Sequence, residues 1–97
     1  MDTIALLSAL AEPTRLNAIR ILWDGSEHCV CELMRKMGAS QSRMSRHMSA
    51  LKAVGIVLDR RDAQWVRYRL NPGMAPETRA ILDTVLAAAA VQERQAA

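Results

Sequence analysis

Cys29 and Cys31, one residue apart, have the most direct chemistry in this chain. Thiolates hold soft ions such as Cu(I), and thiols can also be oxidised or persulfidated. In a regular helix residues i and i+2 point about 200° apart, so two such sulfurs cannot close on one ion. Cys29, however, falls at the expected N-cap of a helix, with Glu32 at the capping-box position. A cap residue is not helical, so its side chain can swing, and closing both sulfurs on a ligand is expected to unwind the first turn. The free amides of a helix start also favour thiolate over thiol. His28, three residues before Cys31, is a secondary candidate ligand. Two other readings stand beside metal binding: packing filler, and a sensor of oxidants or persulfides. Catalysis is not expected. The two histidines are far apart, Glu32 is the one acid near the thiols, and no glycine-rich phosphate loop is present.

The second chemical stretch is Ser40 to Leu51, SQSRMSRHMSAL. Ser40 is a good N-cap, and Met44, Met48 and Leu51 recur at i, i+4 and i+7, which makes an apolar stripe. Ser42, Ser45, Arg46 and Ser49 lie on the opposite side, flanked by Gln41 and Arg43, with no acid among them. Gln and Arg can bond base edges bidentately, and Ser can reach bases or phosphates. The face reads either as a solvated helix surface or as a double-stranded DNA reader. His47 lies between the two faces, placed equally well to touch phosphate or to satisfy a local backbone group.

Charge distribution favours the reader. Between Arg35 and Arg69 nine Lys or Arg stand against two Asp, whereas the remainder has four basic residues against eight acids. A basic middle between acidic flanks is the footprint of a polyanion-binding face. Ninety-seven residues suit one domain, 1–97, and a 51% apolar composition without Phe implies an aliphatic, Met-rich core. No apolar run approaches the roughly 20 residues of a membrane span, and no signal peptide is visible. A reducing, cytoplasmic setting is expected, because C-x-C is not a secreted disulfide framework.

These residues require a mainly helical frame. Asp2 or Thr3 can cap a first helix with Ile4, Leu7 and Leu10 inward. A second helix runs from Pro13 to about Trp23, with Leu16, Ile19, Leu22 and Trp23 inward and Gly25 closing it. A third carries Val30, Leu33, Met34 and Met37 to Gly38, and a three-residue turn leads to the reading helix, about 41–54, completing a helix-turn-helix. Alternation then replaces helical spacing. Ile56 to Arg61 and Trp65 to Leu70 read as a hairpin across Asp62-Ala63-Gln64, a wing over about 56–70. Its arginines 60, 61, 67 and 69 suit a phosphate backbone, or else a solvated edge ribbon. After Asn71-Pro72-Gly73 a last helix runs over about 76–94. Its apolar surface exceeds what one small core needs, as does that of the first helix. Those two helices are expected to form a symmetric homodimer, the alternative being packing onto the monomer's own core. The fold class is therefore α+β, mainly α with a β-hairpin wing, in the order ααααββα.

LAEPTRLNAIRIL, CVCEL, SQSRMSRHMSALKAVGIV and WVRYRL, in this order and spacing, resemble the ArsR/SmtB family of metal-sensing repressors, from about Leu10 to Leu70. The resemblance implies a winged helix-turn-helix homodimer that leaves its operator DNA when an inducer binds. It places Gln41, Ser42, Ser45 and Arg46 at reading-helix positions and His47 at a recurrent histidine. HCVCELM further resembles the arsenic-binding CVC-x-x-C segment of the arsenical-resistance repressors, which implies As(III) or Sb(III) as inducer at Cys29 and Cys31. Met34 stands where the third Cys would be, a poorer, uncharged donor. The family's zinc site on the last helix is absent, since Asp83-Thr84-Val85 lacks its His. The family also often has Gly at the wing tip, where this chain has Ala63. A non-Gly residue in a left-handed turn costs roughly 1 kcal/mol, so a different turn is expected there. An effector-independent protein–protein module on the same scaffold is the remaining alternative.

Overall fold

Met44, Met48 and Leu51 are fully buried, and the rest of the molecule closes over them. In the structure, a computed structural model, residues 2–96 are described. Met1 and Ala97, the two ends of the expected unit 1–97, lie outside the described residues. The elements are α1 (Thr3–Leu10), α2 (Pro13–Leu22), β1 (His28–Cys29), α3 (Val30–Met37), α4 (Gln41–Ala53), β2 (Val57–Asp62), β3 (Trp65–Leu70) and α5 (Pro76–Ala96). This is the expected winged helix-turn-helix with one addition. The two-residue β1 pairs antiparallel with β3, so the hairpin becomes a three-stranded sheet in the order β1-β3-β2.

Each helix ends where its capping chemistry dictates. Asp2 Oδ1 accepts from the amides of Ile4 and Ala5, so Asp2 rather than Thr3 caps α1. Pro13 stands at the first position of α2, where its missing N–H costs nothing, and the Glu12 carboxylate accepts from Arg15 N–H at 2.9 Å. Gly38 closes α3 in a left-handed conformation at φ 61°, which a residue without Cβ adopts freely. That tight stop leaves room for the short turn to Ser40, whose Oγ accepts from Arg43 N–H at 3.3 Å and starts α4. Such a cap stabilises a helix by about 1 kcal/mol.

The core joins the stripe of α4 to Ile19 and Leu22 of α2, Val30 and Leu33 of α3, and Ile56, Val57 and Leu70 around the sheet. Burying each such side chain contributes about 1.5–3 kcal/mol. The expectation for α1 needs correction. Leu6, Ala9 and Leu10 face the core, whereas Ile4 is 73% exposed and Leu7 46% exposed. On α5 only Thr78 and Leu82 are buried among the described residues, Ile81, Val85 and Leu86 are half-buried, and Val91 is exposed. Both terminal helices thus keep apolar surface that the described residues do not cover.

The wing also departs from expectation. Val57 pairs with Leu70 and Asp62 with Trp65, so Asp62 is a strand residue and the loop is only Ala63-Gln64. Ala63 sits at φ 56°, in the left-handed region, so the tip does not avoid the conformation that favours glycine. Two-residue hairpin loops require positive φ to match the twist of their strands, and this requirement outweighs the side-chain cost. Ala63→Gly is therefore expected to stabilise the fold by about 0.5–1 kcal/mol, after allowing for glycine's greater unfolded-chain entropy. Denaturant midpoints of the two proteins check this; an unchanged or lower midpoint for the variant refutes it.

Candidate nucleic-acid interface and thiol site

The outer face of α4 is as open as the sequence requires. Ser40, Gln41, Ser42, Arg43, Arg46 and Ser49 are exposed and Ser45 is half-buried. The Ser40 and Ser42 hydroxyls lie 3.4 Å apart at the start of the helix. Of the nine basic residues between Arg35 and Arg69, four have acidic partners. Lys36 meets Glu32, Lys52 meets Asp59, Arg60 meets Glu27 and Arg67 meets Asp62. Arg35, Arg43, Arg46, Arg61 and Arg69 make no ion pair among the described residues. The uncompensated positive charge thus includes both reading-helix arginines and reaches the wing.

His47 is not free on this face. Its side chain is 16% exposed, and its Nδ1 accepts from Arg15 Nε at 3.2 Å with a Glu12 carboxylate oxygen 3.6 Å away. Arg15 also donates to the carbonyl of Ala9 at 3.3 Å, so the ring links α4 to the junction of α1 and α2. Burial alone would raise the Glu12 carboxyl, but the amides of Arg15 and Thr14 and the nearby His47 ring outweigh it and hold the group below its ordinary value. Side chains, not the local backbone, engage this histidine, and Arg15 was invisible to a reading of α4 alone.

In the wing the register separates the arginines. Arg60 faces Arg67 across the ladder and Leu58 faces Arg69, so Arg60, Arg67 and Arg69 share one face. Arg61, opposite Val66, lies on the other. The four arginines therefore do not form a single array. Arg60 gives two bonds to Glu27, at 2.9 and 2.8 Å, and Arg67 gives one to Asp62 at 2.8 Å.

At the thiol site Cys29 is the N-cap of α3, as expected, with extended backbone at ψ 142°, and Cys31 N–H donates to its sulfur at 3.2 Å. Cys29 and Cys31 are joined as a disulfide with their Cα atoms 5.1 Å apart. The sulfurs meet while α3 still begins at Val30, so this bond forms without unwinding the first turn, at a closer sulfur separation than a shared ion would impose. The extended conformation of the single residue Cys29 turns its Cβ toward that of Cys31, which a helical residue could not do. Nor does Glu32 complete a capping box, because its carboxylate goes to His28 and Lys36.

His28 is clamped on both nitrogens. Nδ1 lies 2.9 Å from Glu32, and Nε2 lies 3.0 Å from both Asp24 oxygens and 3.2 Å from Ser26 Oγ. The i,i+4 spacings Asp24–His28 and His28–Glu32 were the sequence signal for this clamp. Neither ring nitrogen is available as a ligand in this arrangement, and Met34 packs half-buried against the core. Of Cys29, Cys31, His28 and Met34, the structure brings only the two cysteines together. The hydrogen bond from His28 holds the Asp24 carboxyl down at about 2, from an ordinary 3.8. Burial works against the charged imidazole, but Asp24 and Glu32 outweigh it and raise His28 above 6.5. Asp24 thus contributes above about 3.8 and loses its contribution as pH falls through about 2. The His28 contribution is complete below 6.5 and is lost as pH rises through its raised value. The clamp is therefore expected to be tightest between about pH 4 and 6.5. An NMR titration of the His28 ring should give a midpoint above 6.5; a midpoint at or below it sinks the clamp.

Among the described residues no helix is long and apolar enough to cross a membrane. Residues 12–58 match the model of the bacterial regulatory protein, arsR family. The chain is 40% identical over 83 residues to the arsenic resistance transcriptional regulator ArsR2 of Pseudomonas putida, covering 86% of this chain and 72% of that one. It is 39% identical over 80 residues to the arsenical resistance operon repressor of Escherichia coli, covering 82% of this chain and 68% of that one. Among solved structures, HlyU from Vibrio cholerae superposes with a TM-score of 0.72 at 34% identity, covering 86% of each chain. By identity over most of its length and by fold, the chain belongs to the arsR family of bacterial regulatory proteins, which are DNA-binding helix-turn-helix regulators and not enzymes.

Proposed function

We propose that two copies of this chain bind operator DNA as a cytoplasmic repressor and release it when arsenite or antimonite engages the Cys29 and Cys31 thiolates. The observation that carries this reading is the exposed outer face of α4, whose Arg43 and Arg46 make no ion pair among the described residues, one short turn after the helix α3 that Cys29 caps. In it, Gln41, Ser42, Ser45 and Arg46 reach base edges or phosphates, with Ser40, Arg43 and the wing's Arg60 and Arg67 on the backbone and Arg61 meeting it from the other face of the hairpin. His47 acts through its bond to Arg15, which sets the pitch of α4. The exposed Ile4, Leu7 and Val91 supply the apolar surface for pairing through α1 and α5. Arsenic-resistance regulators among the relatives support the choice of inducer.

Fluorescence anisotropy on a palindromic duplex tests the reading. Two half-sites about one DNA turn apart should be preferred, and affinity should fall steeply with salt as phosphate contacts release counterions. A flat salt dependence argues against DNA binding.

The Cys29–Cys31 bond favours a second reading, release by oxidation. A hydroperoxide would take two electrons and two protons from the thiols, forming the S–S bond and leaving an alcohol and water. Titrating the reduced protein–duplex complex with arsenite and with hydroperoxide separates the two signals.

A further inference from the structure

The wing arginine with the best-formed partner is held by a residue outside the wing. Arg60 donates through Nε and one terminal nitrogen to the two carboxylate oxygens of Glu27, a fork-to-fork pair at 2.9 and 2.8 Å. Glu27 lies in the segment between α2 and β1, 33 residues away in sequence. Bidentate geometry is also how a guanidinium grips phosphate, so carboxylate and phosphate compete for the same nitrogens. Both partners are solvent-accessible, at 56% for the Arg60 side chain and 33% for Glu27, so exchanging one anion for the other requires no repacking. The guanidinium, in turn, holds the Glu27 carboxyl below its ordinary value.

A purely structural role for Glu27 is the obvious competitor. Arg60 and Arg67 face each other across the ladder, and like charges directly opposite repel. But Arg67 has its own partner within the hairpin, Asp62 at 2.8 Å, and part of that repulsion is already relieved. Two of the three arginines on this face are thus masked by carboxylates, while Arg69 makes no ion pair among the described residues.

We propose that Glu27 is an internal competitor of DNA phosphate for Arg60, a specificity-setting residue that keeps this arginine occupied until a duplex displaces it. The inference rests on the operator-binding reading above. Its consequence is that non-specific duplex, which gains little beyond phosphate contacts, is discriminated against, because each such contact at Arg60 must first displace a carboxylate.

The test uses the full chain, with the wild type, Glu27→Gln, Arg60→Gln and the double variant. Binding is measured by anisotropy on the tightest palindromic duplex from a random-sequence selection and on a scrambled duplex, across a salt series. Glu27→Gln should bind scrambled duplex about threefold more tightly at low salt, with a smaller gain on the selected duplex. On scrambled duplex, which leaves Glu27 on Arg60 in the wild type, the slope of log affinity against log salt should steepen by about one, the signature of one additional phosphate contact; on the selected duplex, which has already displaced Glu27, the slope should not change. In the Arg60→Gln background the same change should have no effect on slope. An unchanged slope for Glu27→Gln on scrambled duplex overturns the proposal. So does equal tightening with Arg60 present or absent, which would mean a diffuse charge effect. Loss of duplex binding in Glu27→Gln with an intact melt favours the structural role and overturns it as well. Absence of all duplex binding by the wild type overturns the repressor reading itself, and the competitor with it.

Discussion

Arg46→Ala is expected to weaken operator binding about ten- to a hundredfold and to leave the fold intact. Arg46 is exposed, lies on the face of α4 opposite Met44, Met48 and Leu51, and has no ionic partner among the described residues. Removing it strands no buried acid and opens no cavity, so stability should change by less than about 0.5 kcal/mol. A bidentate contact to a base is worth about 1–3 kcal/mol of discrimination, and the loss should be larger on the selected operator than on scrambled duplex. If Arg46 instead meets phosphate, the loss should be uniform across sequences and the salt slope should shrink by about one. Unchanged affinity on both duplexes would remove α4 from the interface. Met48→Ala offers the contrast. Its side chain is fully buried, so the cost falls on stability, about 2–5 kcal/mol, and affects binding only through unfolding.

The second large effect concerns the sulfurs. Arsenite should weaken duplex binding of the reduced wild type by roughly 5- to 150-fold, the usual range for coupling between two sites. Cys29→Ser and Cys31→Ser should each bind DNA normally and fail to respond. Cys29→Ser is an especially clean variant, because serine is a good N-cap and its hydroxyl can replace the sulfur that accepts from Cys31 N–H. Cys31 occupies the second position of α3, where serine costs only tenths of a kcal/mol. Release of both variants at wild-type arsenite concentrations would end the thiol assignment. Release of the wild type by hydroperoxide but not by arsenite would favour the oxidative reading.

What was legible in advance depended on how local the cause was. Met44, Met48 and Leu51 could be assigned to the core because one stripe on a long helix admits a single inward face. The caps at Ser40 and Cys29 and the stop at Gly38 were equally readable, being set by chemistry within four residues, whereas the cap of α1 was narrowed only to Asp2 or Thr3. The face of α1 was not. In TIALLSAL almost every position is apolar, so spacing cannot choose a side, and contact with the rest of the molecule does. β1 escaped notice because two residues become a strand only beside a partner some forty positions later. Glu27–Arg60 and Arg15–His47 were hidden for the same reason, since each joins residues more than 30 positions apart. The meeting of Cys29 with Cys31 turned on one backbone angle, the extended ψ of Cys29, which residue spacing alone does not supply.

His28 and Cys29 lie in register with Tyr68 and Arg67, so the segment that carries the first sulfur is hydrogen-bonded sideways to the middle strand of the sheet while also starting α3. A tug on that segment would be felt along two routes in parallel, one through α3 into the reading helix and one across the ladder into the hairpin. Signalling built this way tolerates damage. With both sulfurs in place, a substitution that slackens either route alone should blunt the inducer's effect without abolishing it, and silencing the response downstream of the sulfurs should require breaking both.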